Sequence, residues 1–162
     1  MQFRMSSTKV NEYFALDSMK PQILQIESGK RIVNYMYMKT AAKPLVVFVH
    51  GAPGSSSAFI DFLKNGKLQK KARLLSVDRP GYGYSNFGKA ETSLVEQARY
   101  LSEVIKKHSV ISEKTILVGH SLGAPIIARL AMDFPNLVDG LIFVGGSIDP
   151  EQEKEEWYRP LV

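Results

Sequence analysis

Apolar residues run without interruption for four or five positions at several points along the chain. The clearest run, Leu-Val-Val-Phe-Val at 45–49, is typical of a strand that a parallel sheet buries on both faces. The segments 22–27 and 31–38, which are joined by the turn 28–30, are typical of a β-hairpin. Together these patterns predict strands at 22–27, 31–38, 45–49, 73–77, 115–118 and 141–144.

Between these strands, apolar residues recur at intervals of three and four positions, which place them on one face of a helix. This spacing predicts helices at 59–68, with Ser57 as its N-cap, at 92–108 and at 124–134. From residue 45 onward the predicted order is therefore strand and helix in alternation. Right-handed crossovers then give an α/β fold, in which a mostly parallel sheet carries helices on both faces.

The two ends of the chain differ from this central part. Residues 1–20 form an N-terminal extension whose apolar positions predict a short amphipathic helix packed on the body. Binding of that helix to a membrane surface is the less favoured interpretation, because the segment is short and weakly basic. Residues 21–149 form the predicted core, and residues 150–162 form a charged tail with two aromatic residues.

Composition narrows the functional classes. The chain has 162 residues, of which 44% are hydrophobic and 23% are charged, as in ordinary globular proteins. It contains no cysteine, which excludes disulfides, thiolate metal sites and a cysteine nucleophile. The net charge is +5, but the basic cluster at 64–73 has no interleaved aromatics, so a solvated surface is favoured over nucleic-acid binding.

Neither a membrane span nor a targeting signal is readable in the sequence. No apolar run approaches the roughly 20 residues that cross a bilayer. The first 20 residues lack the apolar stretch of an intact signal peptide. The sequence leaves open whether a signal peptide was removed ahead of Met1. We therefore expect a cytoplasmic protein or, if such a signal was removed, an exported one.

The segment Gly119-His120-Ser121-Leu122-Gly123 stands between a predicted strand and a predicted helix. This composition is typical of a nucleophile elbow, a sharp turn that exposes the serine Oγ above the sheet. The glycines leave room for closely passing backbone, and the N-terminus of the next helix favours developing negative charge. Ser121 is therefore the candidate nucleophile. The alternative is a glycine-rich turn with an incidental serine.

The segment 50–54, His-Gly-Ala-Pro-Gly, follows a buried strand, at the edge where ligands bind in open α/β sheets. Backbone N–H groups at such a turn can stabilise an oxyanion, and the expected pair is the N–H of Ala52 and the N–H of Leu122. His50 and Gly51 would then lie beside the site. The alternative is a tight loop with a role in folding only.

Segments 50–54, 78–85 and 119–123 together resemble the α/β-hydrolase superfamily, and the resemblance covers about residues 22–149. They are most similar to the branch with proline iminopeptidases, haloperoxidases, epoxide hydrolases and carbon–carbon bond hydrolases. Epoxide hydrolases and haloalkane dehalogenases carry Asp at the elbow, whereas this chain has Ser121. The resemblance therefore implies a serine hydrolase that cleaves ester, amide or related acyl bonds of a small-molecule substrate through an acyl-enzyme.

In this family the chain order is nucleophile, then acid, then histidine base. All three histidines of the chain precede Ser121. The resemblance implies that His50 braces the oxyanion loop and that the side chain of His120 points away from the nucleophile. His108 is expected at a helix C-terminus, in solvent. None of the three is the expected base.

The resemblance also makes 78–85 a structural loop near the pocket, with Tyr82 and Tyr84 as candidate pocket contacts. Asp149, which follows the last predicted strand, is the candidate catalytic acid. The alternative for Asp149 is a turn residue before Pro150.

Family members continue with a lid, further strands and the catalytic histidine, and the tail 150–162 resembles the start of that lid. We therefore expect a chain that lacks the lid and the last strands, as a fragment or a natural truncation, and that is inactive alone. The strand 141–144 would then form an exposed apolar edge, which favours self-association. No metal, organic cofactor or nucleic acid is expected as a partner.

The missing histidine leaves two alternatives to a serine hydrolase with a complete site. One is a non-catalytic protein that binds a ligand or a partner on a hydrolase scaffold. The other is a serine hydrolase whose catalytic base is supplied by a second polypeptide or by a swapped copy of this chain.

Overall fold

Six strands form one sheet in the computed structural model, which describes residues 3–146. The sheet order is β1-β2-β4-β3-β5-β6. The pairs β1–β2 and β2–β4 are antiparallel, and the pairs β4–β3, β3–β5 and β5–β6 are parallel. The strands are β1 (Gln22–Ser28), β2 (Arg31–Met38), β3 (Leu45–Val49), β4 (Arg73–Val77), β5 (Thr115–His120) and β6 (Gly140–Val144).

Helices connect the four parallel strands, and each crossover returns the chain to the end of the sheet at which these strands begin. Short 3-10 turns precede α2 at Ser56–Phe59 and follow α5 at Pro135–Leu137. The helices are α1 (Ser7–Tyr13), α2 (Ile60–Lys64), α3 (Gly66–Gln69), α4 (Leu94–His108) and α5 (Gly123–Asp133). Within residues 3–146, no helix is both long enough and apolar enough to cross a bilayer.

Each face of the sheet has its own hydrophobic cluster. The apolar sides of α4 and α5 pack on one face, where Val47, Val49 and Leu117 are buried. On the other face, α1 and α2 pack against Phe48 and Val118. Because successive side chains of a strand point to opposite faces, the apolar run of β3 supplies both clusters. The mostly parallel α/β architecture with helices on both faces is therefore as predicted.

The strand predictions agree closely with the structure, and β5 extends two residues beyond the predicted end, to His120. The prediction of a single helix at 59–68 is wrong. Asn65 adopts an extended backbone, and its side chain caps α3 by accepting hydrogen bonds from two amides of that helix. The residue that caps the preceding 3-10 turn is Ser55, which accepts from the N–H of Ser57.

Strand β6 forms one edge of the sheet within the described residues. The side chains of Ile142, Phe143 and Val144 are exposed. An apolar groove of about 560 Å³ lies on the same side as α2, lined by Phe62 and Ile142 among others.

The candidate acid Asp149 and the tail 150–162, which resembles the start of a lid, lie outside the described residues.

Candidate functional site

The turn after β5 holds Ser121 in a left-handed backbone conformation, with φ of +50°. Such a conformation is uncommon for residues other than glycine and marks a strained turn. The N–H of Ser121 donates to the carbonyl of Val144 in β6 at 3.0 Å, and its carbonyl accepts from the N–H of Ala124 at 2.9 Å. These two bonds hold the serine between the end of a strand and the first turn of α5.

Close backbone contacts explain the glycines on either side of Ser121. A Cβ on Gly119 would lie 2.6 Å from the carbonyl oxygen of Gly123. A Cβ on Gly123 would overlap the carbonyl of Val49, at the end of β3. A Cβ on Gly51 would lie 2.8 Å from the Cβ of Ser121. The elbow and the turn 50–54 are therefore in direct contact.

Two backbone amides beside this contact have no protein acceptor. Neither the N–H of Ala52 nor the N–H of Leu122 donates a hydrogen bond to any residue of 3–146. Both residues are only half-buried. Because these two amides beside Ser121 have no acceptor among residues 3–146, they are donors available to an anionic oxygen.

His50 is buried behind the turn, and both of its ring nitrogens are occupied. Its Nε2 accepts from the N–H of Arg79 at 3.1 Å, so the proton is on Nδ1, which donates to the carbonyl of Gly51 at 2.6 Å. Burial, followed by the charge of Arg79, lowers the pKa of His50 to about 3. The imidazole is therefore neutral and braces the turn, and it has no free nitrogen for Ser121.

The other two histidines also make no bond to Ser121 within the described residues. His120 is exposed; its ring lies close to Gly51 and lines the apolar groove. His108 ends α4, and its Nε2 lies 3.0 Å from the hydroxyl of Tyr35. The expected position of His108 at the end of a helix is correct, but the residue is half-buried and not fully solvated: it packs on the tyrosines of β2, and this burial lowers its pKa.

Arg79, whose side chain is fully buried, was not among the residues that the sequence pattern singled out. Its Nη2 donates to the carbonyl of Gly51 at 3.0 Å, and its Nη1 donates to Oε1 of Gln97 at 2.9 Å. Its guanidinium also lies 4.3 Å from the ring centre of Tyr82. A signal was present in the sequence: Gln97 interrupts the apolar face of α4, and a buried amide needs a hydrogen-bond partner.

The loop 78–85 is held by a second buried group, the carboxylate of Asp78. It accepts from the N–H of Ser56 at 2.6 Å, and from the N–H of Tyr84 and the side-chain amide of Asn34 at 2.8 Å each. The ring of Tyr82 packs against His50, whereas the ring of Tyr84 is stacked on Arg4. Across residues 3–146, no group of three His, Asp or Glu side chains is arranged to hold a metal ion.

Comparisons with known proteins agree with this architecture. A family model for the alpha/beta hydrolase fold matches residues 44–162. The chain is 25% identical over 142 residues to an uncharacterized hydrolase of Saccharomyces cerevisiae, covering 85% of this chain and 46% of that protein. It is also 28% identical over 124 residues to a 2-hydroxy-6-oxononadienedioate/2-hydroxy-6-oxononatrienedioate hydrolase of Paraburkholderia phymatum. This match covers 75% of this chain and 42% of that protein.

A solved structure shows the same fold. It is a mutant N-acyl homoserine lactonase complexed with N-hexanoyl homoserine, with a TM-score of 0.70 and 22% identity, covering 83% of this chain and 48% of that one. The chain spans less than half the length of each of these three proteins. The match of the family model over most of the chain shows that this protein belongs to the α/β-hydrolase family.

Proposed function

We propose that this chain carries the nucleophile and the oxyanion hole of a serine hydrolase that acts on ester, amide or related acyl bonds. Ser121 is the nucleophile, and the N–H groups of Ala52 and Leu122 bind the oxyanion. The observation that carries the proposal is the strained Ser121 beside two amides that have no acceptor among residues 3–146. Asp149 remains the proposed acid on the grounds of sequence alone.

The proposed reaction forms and breaks one bond in each of two steps. Ser121 Oγ attacks the substrate carbonyl carbon and loses its proton to a base, and the carbonyl oxygen becomes an oxyanion held by the two amides. The intermediate collapses, the leaving group departs with a proton, and an acyl-enzyme remains. Water then attacks the acyl carbon and releases the acid and Ser121.

None of the three histidines of the sequence is placed to act as the base for Ser121. His50 is neutral with both nitrogens occupied, His108 is bound to Tyr35, and His120 makes no hydrogen bond to Ser121. A triad that lacks its base loses most of its rate, because only the oxyanion hole and substrate binding remain. We therefore propose that the 162-residue chain alone turns over substrate at a negligible rate.

Chemical rescue with imidazole tests the nucleophile and the missing base together. We expect p-nitrophenyl acetate hydrolysis by the chain to rise with imidazole concentration, well above the uncatalysed imidazole reaction. Ser121→Ala should remove the increase. Ser109→Ala, which alters a serine at the end of α4, is the matched control and should keep it.

A fluorophosphonate probe supplies an independent readout, because it marks a reactive serine covalently. Labelling at Ser121, found by peptide mass spectrometry, is the expected result. Absence of both rescue and labelling would overturn the proposal and favour a non-catalytic protein. In that case a ligand would bind equally well to the wild type and to Ser121→Ala.

The substrate class follows from the proposed chemistry. Attack by a serine hydroxyl requires an electrophilic carbonyl carbon, and the name of the Paraburkholderia phymatum relative denotes an oxo compound. We therefore place small-molecule esters, amides and activated ketones within the proposed range. A second copy of this chain, paired along β6, is the partner that we propose.

A further inference from the structure

Arg79 is a buried cation that no carboxylate neutralises within the described residues. Its side chain has no solvent exposure, and it takes part in no salt bridge there. The neighbouring Asp78 is occupied by other donors. Arg79 Nε has no hydrogen-bond partner among these residues. Because buried charges are normally paired, an unneutralised guanidinium next to a candidate active site needs an explanation.

The two hydrogen bonds of the guanidinium connect α4 to the turn 50–54. One donates to Oε1 of Gln97 in α4, and the other donates to the carbonyl of Gly51. That carbonyl accepts a second hydrogen bond from Nδ1 of His50. Both of its lone pairs are therefore engaged by buried donors, one of which is charged.

The geometry of the peptide unit carries this constraint to the amide of Ala52. In a planar trans peptide, the carbonyl of one residue and the N–H of the next point in opposite directions. With the Gly51 carbonyl held toward His50 and Arg79, the Ala52 N–H points away from this buried pair. A charged donor on the carbonyl also polarises the peptide and strengthens the N–H as a donor.

We infer that Arg79 is a positioning residue for oxyanion binding, which orients the Gly51–Ala52 peptide and keeps beside it a positive charge that no carboxylate of residues 3–146 neutralises. The inference rests on the proposed serine hydrolase function and extends it to a residue outside the elbow and the turn. It predicts that the site favours a negatively charged, tetrahedral group on Ser121 over a neutral ligand.

A purely structural role for Arg79 makes a different prediction. If Arg79 only joins α4 to the turn, a carboxylate at position 97 would complete a buried ion pair and leave the site unchanged. If the unneutralised charge matters, that same carboxylate would cancel it and weaken anion binding. The variant Gln97→Glu is close to isosteric and separates the two roles.

The experiment measures binding of phenylboronic acid to the chain by boron NMR. Ser121 Oγ adds to the trigonal boron, the new O–B bond makes the boron a tetrahedral anion, and the serine proton goes to solvent. We expect Gln97→Glu to weaken this binding by about threefold to tenfold, with a melting temperature no lower than that of its control. The substitution also removes the hydrogen bond that Nε2 of Gln97 donates to the carbonyl of Glu91 at 2.8 Å. The matched control is therefore Gln69→Glu, because Nε2 of Gln69 donates to the carbonyl of Leu63 at 2.7 Å and the same kind of bond is lost.

A second variant removes the charge instead of neutralising it. Arg79→Met should weaken boronate binding by about tenfold or more. Arg129→Gln, which removes a half-exposed arginine of α5, should bind as the wild type does. If Gln97→Glu binds boronate as tightly as Gln69→Glu does, the inference is overturned. If the wild type forms no boronate adduct, or forms one that persists in Ser121→Ala, the proposed function fails and the inference fails with it. If the adduct depends on Ser121 but Gln97→Glu and Gln69→Glu bind boronate equally, the inference alone fails.

Discussion

Two turns meet above the central strands, and they are built in opposite ways. The elbow after β5 is shaped by backbone contacts: Gly119 and Gly123 allow close approach, and Ser121 is held by backbone hydrogen bonds to Val144 and Ala124. The turn after β3 is shaped by buried side chains, His50 and Arg79, which converge on the carbonyl of Gly51. One turn depends on the absence of side chains, and the other depends on a polar network.

This difference predicts how each turn responds to change. Steric contacts of backbone do not titrate, so the elbow should fail only when atoms are added. A buried polar network responds to protonation and to altered charge, so the turn 50–54 should be sensitive to pH.

Adding one methyl group to the elbow should have the largest effect. In Gly123→Ala the new Cβ would overlap the carbonyl of Val49, and neither backbone segment can move without disturbing the sheet. We expect the free energy of unfolding to fall by about 3 kcal/mol, measured by urea denaturation. The control is Gly66→Ala, which begins α3 in open space and should be neutral or slightly stabilising. Equal effects of the two substitutions would contradict the steric explanation.

Lowering the pH should loosen the turn 50–54. The pKa of His50 is about 3 in the folded protein, below its ordinary value of 6.5. The unfolded chain therefore binds this proton first, so the stabilisation is complete above pH 6.5 and is lost as pH falls toward 3. From pH 7 to pH 5 we expect a loss of roughly 2 kcal/mol from this group.

The variant His50→Gln isolates this contribution. Glutamine can still accept from the N–H of Arg79 but does not titrate, so its unfolding free energy should depend less steeply on pH. Denaturant titrations of both proteins at several pH values make the comparison. Parallel pH dependences in wild type and variant would show that His50 does not contribute.

Strand β6, which accepts the hydrogen bond from Ser121, links the elbow to the edge of the sheet. We expect a second copy of the chain to pair with this edge, because its apolar residues are exposed and it carries no charge. Sedimentation equilibrium should show a dimer, and Phe143→Lys should weaken the association by about tenfold. Ile111→Lys, at an exposed site elsewhere, is the control. A monomer at every concentration would rule out this interface.

Relieving the strain at Ser121 should have the smallest effect. Its positive φ suits glycine better than any residue with a Cβ. Ser121→Gly should therefore be more stable than Ser121→Ala by about 1 kcal/mol, measured by thermal unfolding. The alanine variant controls for loss of the hydroxyl. An alanine variant at least as stable as the glycine variant would argue against backbone strain at the elbow.

Most of the secondary structure, and the elbow, could be predicted from local sequence. The strands were predictable because apolar runs of the right length were bounded by turn residues, and the elbow was predictable because its glycines lie beside the serine they accommodate. The break at Asn65 did have a local signal, because Asn65-Gly66 is a turn dipeptide and the apolar spacing lapses between Leu63 and Leu68, and the prediction of one helix overlooked it. The partial burial of His108 was missed, because the tyrosines that it contacts lie on β2, far away in the sequence.

The α/β order, the family resemblance and the turn that holds Ser121 could be read from the residue pattern, because each depends on residues that are close together in the chain. The partners of Arg79 become apparent only in the folded molecule. Its two acceptors lie 28 and 18 positions away, and a single sequence contains no distance between them. Sheet order and helix packing bring Gly51 and Gln97 to one guanidinium, and that arrangement is the basis for assigning Arg79 a part in the site.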